Sequence, residues 1–303
     1  MWRVALKLHR PFDGNRANTK LLEALRARRY DMLWIDKGNT LRPRTLARAR
    51  SMQPRMSLVA YSPDNMALRH CNSVNYLRSI ALYDLHVTTK SRNVRELAAL
   101  GAREVVFVDN AYDRRTHRPW QLDDEERVRL GADVGFIGTF EGDRARCMLR
   151  LAREGLRVRV WGIRWRRFLR SHPNLIVEYK PLLGDDYAKG ICATRINLGF
   201  LRRRNRDVQT TRSVEIPACG GFMLAERSEE HLRLFREGVE AEYFGSFEEL
   251  LGKCRYYLEH EDERARIARA GRQRCLDDGY SNEDRLRRVL DHVAAMRSRA
   301  QPR

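Results

Sequence analysis

The sequence predicts an α/β fold built from two Rossmann-like parallel-sheet domains. Three observations predict it. Short apolar runs alternate with amphipathic stretches along most of the 303 residues. Several of those runs are apolar throughout, as strands covered on both faces of a parallel sheet are. The alternation stops once, between Asn110 and Gly131, and then restarts, which divides the chain into two halves of ordinary domain size.

In the first half, strands are expected over residues 4–8, 32–35, 57–61, 85–88 and 105–108. Helices are expected over 19–28, 45–50, 74–82 and 94–100. Gly101 stands just past the last of these helices, where a terminating glycine belongs. The stretch around Pro119, with its acids at 123–126, has no apolar strand and reads as a linker over 116–131. The domains are then 1–115 and 132–303. The last helix is a candidate to pack back on the N-terminal domain.

In the second half, strands are expected over 134–137, 156–161, 174–177, 196–200 and 222–225. Ala145, Met148, Leu149 and Ala152 mark one face of a helix over 143–154. Phe247, Leu250, Leu251 and Cys254 mark another stripe, and Leu286, Val289, Leu290 and Val293 a third. Two such halves facing a cleft make the architecture called GT-B. Its ligands sit outside the carboxyl ends of the strands.

Composition narrows the function. With 43% apolar residues the chain is not a long disordered one. No run approaches the roughly 20 apolar residues of a spanning helix, and residues 1–10 lack the apolar core of a signal peptide. The net charge is +19, and only seven of the 59 basic residues are lysine. The six cysteines are scattered without metal-ligand spacing, as buried thiols of a reducing cytoplasm would be. No D-x-D pair occurs, so no metal is expected, and the adjacent acids Asp123-Asp124 and Asp185-Asp186 read as helix N-terminal charges.

Three segments carry candidate chemistry. The first is VGFIGTFEGDR, 134–144, a strand running through Gly138 and Thr139 into a helix start that suits a phosphate, with Arg144 in its first turn. Its spacing is neither the dinucleotide fingerprint nor a Walker loop. The second is TTRSVEIPACGGFML, 210–224. Arg212 and Glu215 share a helix face, and Gly220-Gly221 precedes a strand. Arg212 suits a diphosphate and Glu215 a ribose; the alternative is that the two pair with each other. The third is YSPDN, 61–65, whose Asp64 is a candidate to bind or deprotonate an acceptor, or a turn aspartate. Asp13, Gly14 and Asn15 form a candidate acceptor-side loop.

The 212–224 segment resembles the signature of CgeB-like, spore-maturation glycosyltransferases. So do EYFGSFEEL at 242–250, YYL at 256–258, RIARAGR at 266–272, and DVGFIGT at 133–139 with Trp161-Gly162. DNAYD at 109–113 and HRP at 117–119 are similar to that family's inter-domain segment. The resemblance implies a GT-B enzyme, retaining and hexosyl-type, whose C-terminal half binds a nucleotide sugar as co-substrate, with no other cofactor. It implies that Glu215 bonds the donor ribose and that His117 serves catalysis. Asp207 stands eight residues before Glu215, where related enzymes have glutamate.

The expected function is metal-independent transfer from a nucleotide-diphosphate sugar to an acceptor that is a glycan, a protein or a lipid-linked molecule. The expected site is the cytoplasm, at the inner face of the membrane if the arginine clusters at 164–167 and 202–206 touch lipid. One alternative is a non-catalytic nucleotide- or polyanion-binding protein. The other is a nucleic-acid binder using those clusters with their interleaved Trp165, which no recognition motif accompanies.

Overall fold

The computed structural model describes residues 9, 11–168 and 172–300. It divides into two compact units. One is formed by the chain up to Asp109, with Arg204–Arg206 and the residues from Arg285 on. The other is formed by Asn110–Arg203 and Asp207–Asp284.

The first unit holds four parallel strands in sequence order: β1 (Met32–Asp36), β2 (Ser57–Ser62), β3 (Leu85–Thr88) and β4 (Val105–Phe107). The strand expected over 4–8 lies outside the described residues. Helices Ala17–Ala27 and Pro43–Met52 cover one face, burying Leu25, Leu46 and Ala49 against Leu58 and Ala60. Pro43 opens its helix, where a missing N–H costs nothing. Helix Asn282–Ala300 lays Val289 and Val293 against Val59, Leu85 and Val87. Its expected apolar stripe is only half used, because Leu286 and Leu290 remain over 40% exposed.

The second unit holds six parallel strands: β5 (Ala132–Ile137), β6 (Val158–Trp161), β7 (Leu175–Val177), β8 (Thr194–Gly199), β9 (Met223–Glu226) and β10 (Glu242–Phe244). Their order is β10-β9-β8-β5-β6-β7, the doubly wound arrangement that reverses between β5 and β8. Alternate residues of β9 serve opposite faces. Leu224 joins the cluster under helices Gly142–Arg153 and Phe247–Glu259, while Met223 and Ala225 join the one under Asp185–Ala193 and Arg212–Ala218. Ala145, Met148, Leu149 and Ala152 are all buried, as their spacing predicts. Strand β10 was not anticipated, because it opens on Glu242 and lacks the continuous apolar run of the equally short β4 and β7.

The stretch read as a linker contains structure of its own. Asp123 caps helix Asp124–Leu130 with a reciprocal capping box to Glu126, and Leu130 is 1% exposed. Lys189 pairs with Glu126 and Arg129 with Asp186 at 3.0 Å, joining this helix to Asp185–Ala193. The second unit therefore starts at Asn110, ahead of the expected boundary. A helix that buries one leucine among charges has no apolar stripe to betray it. Both acid pairs do lie at helix starts: Asp123-Asp124 here, and Asp185-Asp186 in the first turn of Asp185–Ala193.

Candidate functional site

The strand reversal places the ends of β5 and β8 side by side. Gly138 follows β5, donates its N–H to the Trp161 carbonyl at 2.8 Å, and accepts the Trp165 indole N–H at 2.8 Å. A Cβ on Gly138 would stand 2.6 Å from the Phe136 ring. Close packing on Phe136 thus requires a glycine here on its own account, apart from the ligand approach expected from the sequence. Thr139 continues the turn, half-buried.

Two arginines converge on the same ring. Arg144, in the first turn of Gly142–Arg153, is 3% exposed with its guanidinium carbon 5.6 Å from the Phe136 centroid. Arg212, which opens Arg212–Ala218, lies 5.8 Å from that centroid. Arg144 donates to the Phe200 carbonyl at 3.4 Å and stands 3.7 Å from Glu141. Burial lowers its pKa, with Glu141 opposing and the neighbouring Arg212 charge adding to the shift. The Nε atoms of Arg144 and Arg212 are both buried without a hydrogen-bond partner. Among the described residues Arg212 forms no ion pair with Glu215, so the pairing alternative is not realised. Ring contact offsets part of the cost of burying Arg144 beside the half-buried Arg212. The remainder favours an anion between them.

Glu215 belongs to a second cluster. Its Oε2 accepts the Tyr187 hydroxyl at 2.5 Å, and its Oε1 is 3.9 Å from His117 Nε2. Burial and then the Glu215 carboxylate push the Tyr187 phenol well above its ordinary range. His117 Nδ1 accepts the Asp113 N–H at 3.0 Å, which assigns the ring proton to Nε2. His117 therefore faces Glu215 as a hydrogen-bond donor. The His117 and Tyr187 rings meet edge to face. Sequence reading named His117 and Glu215 separately and missed Tyr187, whose only signal is its place in the first turn of a helix.

Beside Arg144, a groove of about 630 Å³ opens between Phe200, Glu226, Phe244 and Phe247. Burial raises the pKa of Glu226, whose carboxylate accepts the Leu201 N–H at 2.6 Å. Glu226 too was missed, since it sits in a plain strand end.

Other candidates have structural duties. Gly220, at φ 74°, terminates Arg212–Ala218, its N–H bonding the Pro217 carbonyl. A Cβ on Gly221 would stand 2.7 Å from Ile191. Helix termination and packing thus require these glycines on their own account, apart from the donor contacts expected of them. In the first unit, Asp13 accepts the N–H groups of Ala17 and Asn18 and the Asn18 amide, at 2.7–3.2 Å. Burial opposes, but those bonds and Arg42 hold its pKa down. Asp13 is thereby a helix cap rather than a free acceptor-side group; Gly14 and Asn15 complete its turn. Asp64 is ion-paired to Lys37 in the turn after β2. Trp165 is fully buried, which removes the stacking surface that the nucleic-acid alternative requires. Arg202 pairs with Glu141 and Arg206 with Glu96.

Among the described residues no group of three or more His, Cys, Asp or Glu could hold a metal, and no helix is long and apolar enough to cross a membrane.

Residues 144–291 match the Glycosyl transferase-like family. The matched residues start at Arg144 and include Arg212 and Glu215. No curated protein matches the chain in sequence. Solved structures similar to it include Anabaena HepE in complex with UDP-glucose, at 13% identity and TM-score 0.64, covering 91% of this chain and 81% of that one. Sucrose-phosphate synthase from Thermosynechococcus elongatus is similar at 10% identity and TM-score 0.64, over 95% and 81%. The UDP-forming α,α-trehalose-phosphate synthase from Burkholderia vietnamiensis is similar at 9% identity and TM-score 0.65, over 100% and 83%. The fold is that of GT-B glycosyltransferases.

Proposed function

We propose that the chain is a glycosyltransferase that moves a sugar from a nucleoside-diphosphate donor to an acceptor, without a metal. The observation that carries this reading is the pair Arg144 and Arg212, each with a buried, unpartnered Nε, over one ring at the strand reversal. Glycosyl transfer builds negative charge on the departing diphosphate. Prearranged guanidinium groups stabilise that charge without reorganising. Glu215 keeps Oε1 for a ribose hydroxyl while Tyr187 holds Oε2. His117 offers its Nε2 proton to a ligand oxygen beside Glu215, a donor's role rather than a base's. The family match and the UDP-glucose bound in the similar HepE support a UDP-sugar donor.

Further parts of the reading, retention and a hexosyl donor, rest on the resemblance to CgeB-like enzymes. The +19 charge fits an anionic acceptor or the inner face of the membrane. The test is calorimetry with UDP and UDP-sugars, followed by donor turnover with an acceptor panel. UDP binding lost in the Arg212→Ala variant supports the reading. Absence of binding to any nucleoside diphosphate overturns it. Binding without turnover across the panel returns the non-catalytic alternative.

A further inference from the structure

The groove of about 630 Å³ opens outside the carboxyl ends of β8, β9 and β10, where Phe200, Glu226 and Gly245 stand. Phe200 and Phe244, edge to face at 5.6 Å, and Phe247 give it an apolar wall. Most of its charges are matched. Arg146 pairs with Asp143, Arg150 with Glu248, and Arg227 with Glu237 and Glu249. Glu226 has an oxygen to spare. Its Oε2 accepts the Leu201 N–H at 2.6 Å, and among the described residues its Oε1 accepts no hydrogen bond. Arg144, 3% exposed and with its Nε unpartnered, also lines the groove. We propose that this groove receives the sugar of the donor, that the sugar is uncharged, and that Glu226 selects it through its hydroxyls.

The inference rests on the donor reading above, which puts the ribose at Glu215 and the diphosphate at Arg212 and Arg144. Glu215 is one turn from Arg212 on the same helix, and the Arg212 and Arg144 guanidinium carbons lie 5.8 and 5.6 Å from one ring centroid. Nucleoside, diphosphate and sugar are joined in that order. A donor running from Glu215 to Arg144 therefore continues into the groove. Burial raises the pKa of Glu226, with Arg203 and Arg144 opposing and Glu141 adding to the shift. Arg144 is taken by the diphosphate, and Glu141 pairs with Arg202. One arginine then stands against one carboxylate, which leaves no spare positive charge for an acidic sugar. Such a sugar also meets Glu226 as a like charge. An uncharged ring lays its C–H face on the phenylalanine wall and donates its O–H groups to Oε1.

The test is calorimetry with UDP, UDP-glucose, UDP-galactose and UDP-glucuronate, on the parent protein and on Glu226→Gln. The parent is expected to bind an uncharged UDP-sugar more tightly than UDP-glucuronate, a comparison that needs no variant. In Glu226→Gln the amide oxygen still accepts the Leu201 N–H, so the melting temperature and UDP affinity stay as they are. That variant loses about tenfold toward the uncharged UDP-sugar, the scale of one hydrogen bond to a charged group, and gains toward UDP-glucuronate. A structural defect cannot move the two in opposite directions. Equal loss for UDP and all three sugars, or no change for any, overturns the role of Glu226. UDP-glucuronate as the tightest ligand of the parent overturns the uncharged sugar. No UDP binding by the parent overturns the UDP-sugar reading and this inference with it, whereas UDP binding with no sugar discrimination through Glu226 overturns this inference alone.

Discussion

In the first unit, polar candidates are occupied by their own neighbourhood. Asp13 caps a helix through three hydrogen bonds, and Asp64 is paired with Lys37. In the second unit, at the reversal of strand order, Arg144 and Arg212 each keep a buried Nε without a partner, and Glu215 keeps one oxygen without a hydrogen bond. The difference separates a group the fold needs from one it tolerates. A buried charge with donors left over costs stability unless a ligand satisfies it. The second unit holds such groups in a cluster at the strand reversal, whereas these two acids of the first are satisfied by their neighbours.

That contrast can be broken most directly at Arg212. Arg212→Ala is expected to lower donor kcat/KM by about 10²–10³, the scale of losing one transition-state donor, with an unchanged melting temperature. Unchanged turnover would place the site elsewhere. A next effect tests whether well-bonded groups behave alike in both units. His231 is bonded at both nitrogens, to Ser213 and the Glu226 carbonyl, and His86 to Tyr76 and the Ile80 carbonyl. Burial lowers both pKa values, that of His231 to about 4. The unfolded chain then binds more protons than the folded one below the ordinary histidine pKa. Stability is full above about pH 6.5 and falls as pH drops toward 4, by about 3 kcal/mol for His231. Thermal melts across that window check it, and His231→Gln should flatten the curve.

Glu215→Gln should weaken donor binding by about tenfold in calorimetry, and Tyr187→Phe by less, since the phenol only holds the carboxylate. The smallest expected effect is in the first unit. Asp13→Ala should cost about 1 kcal/mol in denaturant unfolding, as a lost helix cap does, and leave donor affinity unchanged. A loss of donor affinity there would erase the distinction between the two units.

How far these features could be read from the sequence depended on their length and on what they touch. The apolar runs at β2, β3 and β5 and the spaced residues of Gly142–Arg153 are buried because their periodicity requires a core. Strand β10 and helix Asp124–Leu130 escaped because a strand opening on Glu242, or a helix with one buried leucine, carries no apolar run or stripe. Arg212 and Glu215 were legible from a segment resembling a family. Their partners Phe136 and Tyr187 were not, since an aromatic in a strand or helix reads as core. Gly138 drew attention as a ligand-approach position and Gly221 as a donor contact, and each is also constrained by a neighbouring side chain at 2.6–2.7 Å.

The chain passes between its units at three places, near Asp109, around Arg204–Arg206, and near Arg285. Neither unit is therefore a continuous stretch of gene. A single crossover with a related gene would leave one unit without its closing helix or without its three-residue inset. Exchange of donor specificity between relatives by recombination then requires matched breakpoints, and variation in the donor half should accumulate by point substitution instead.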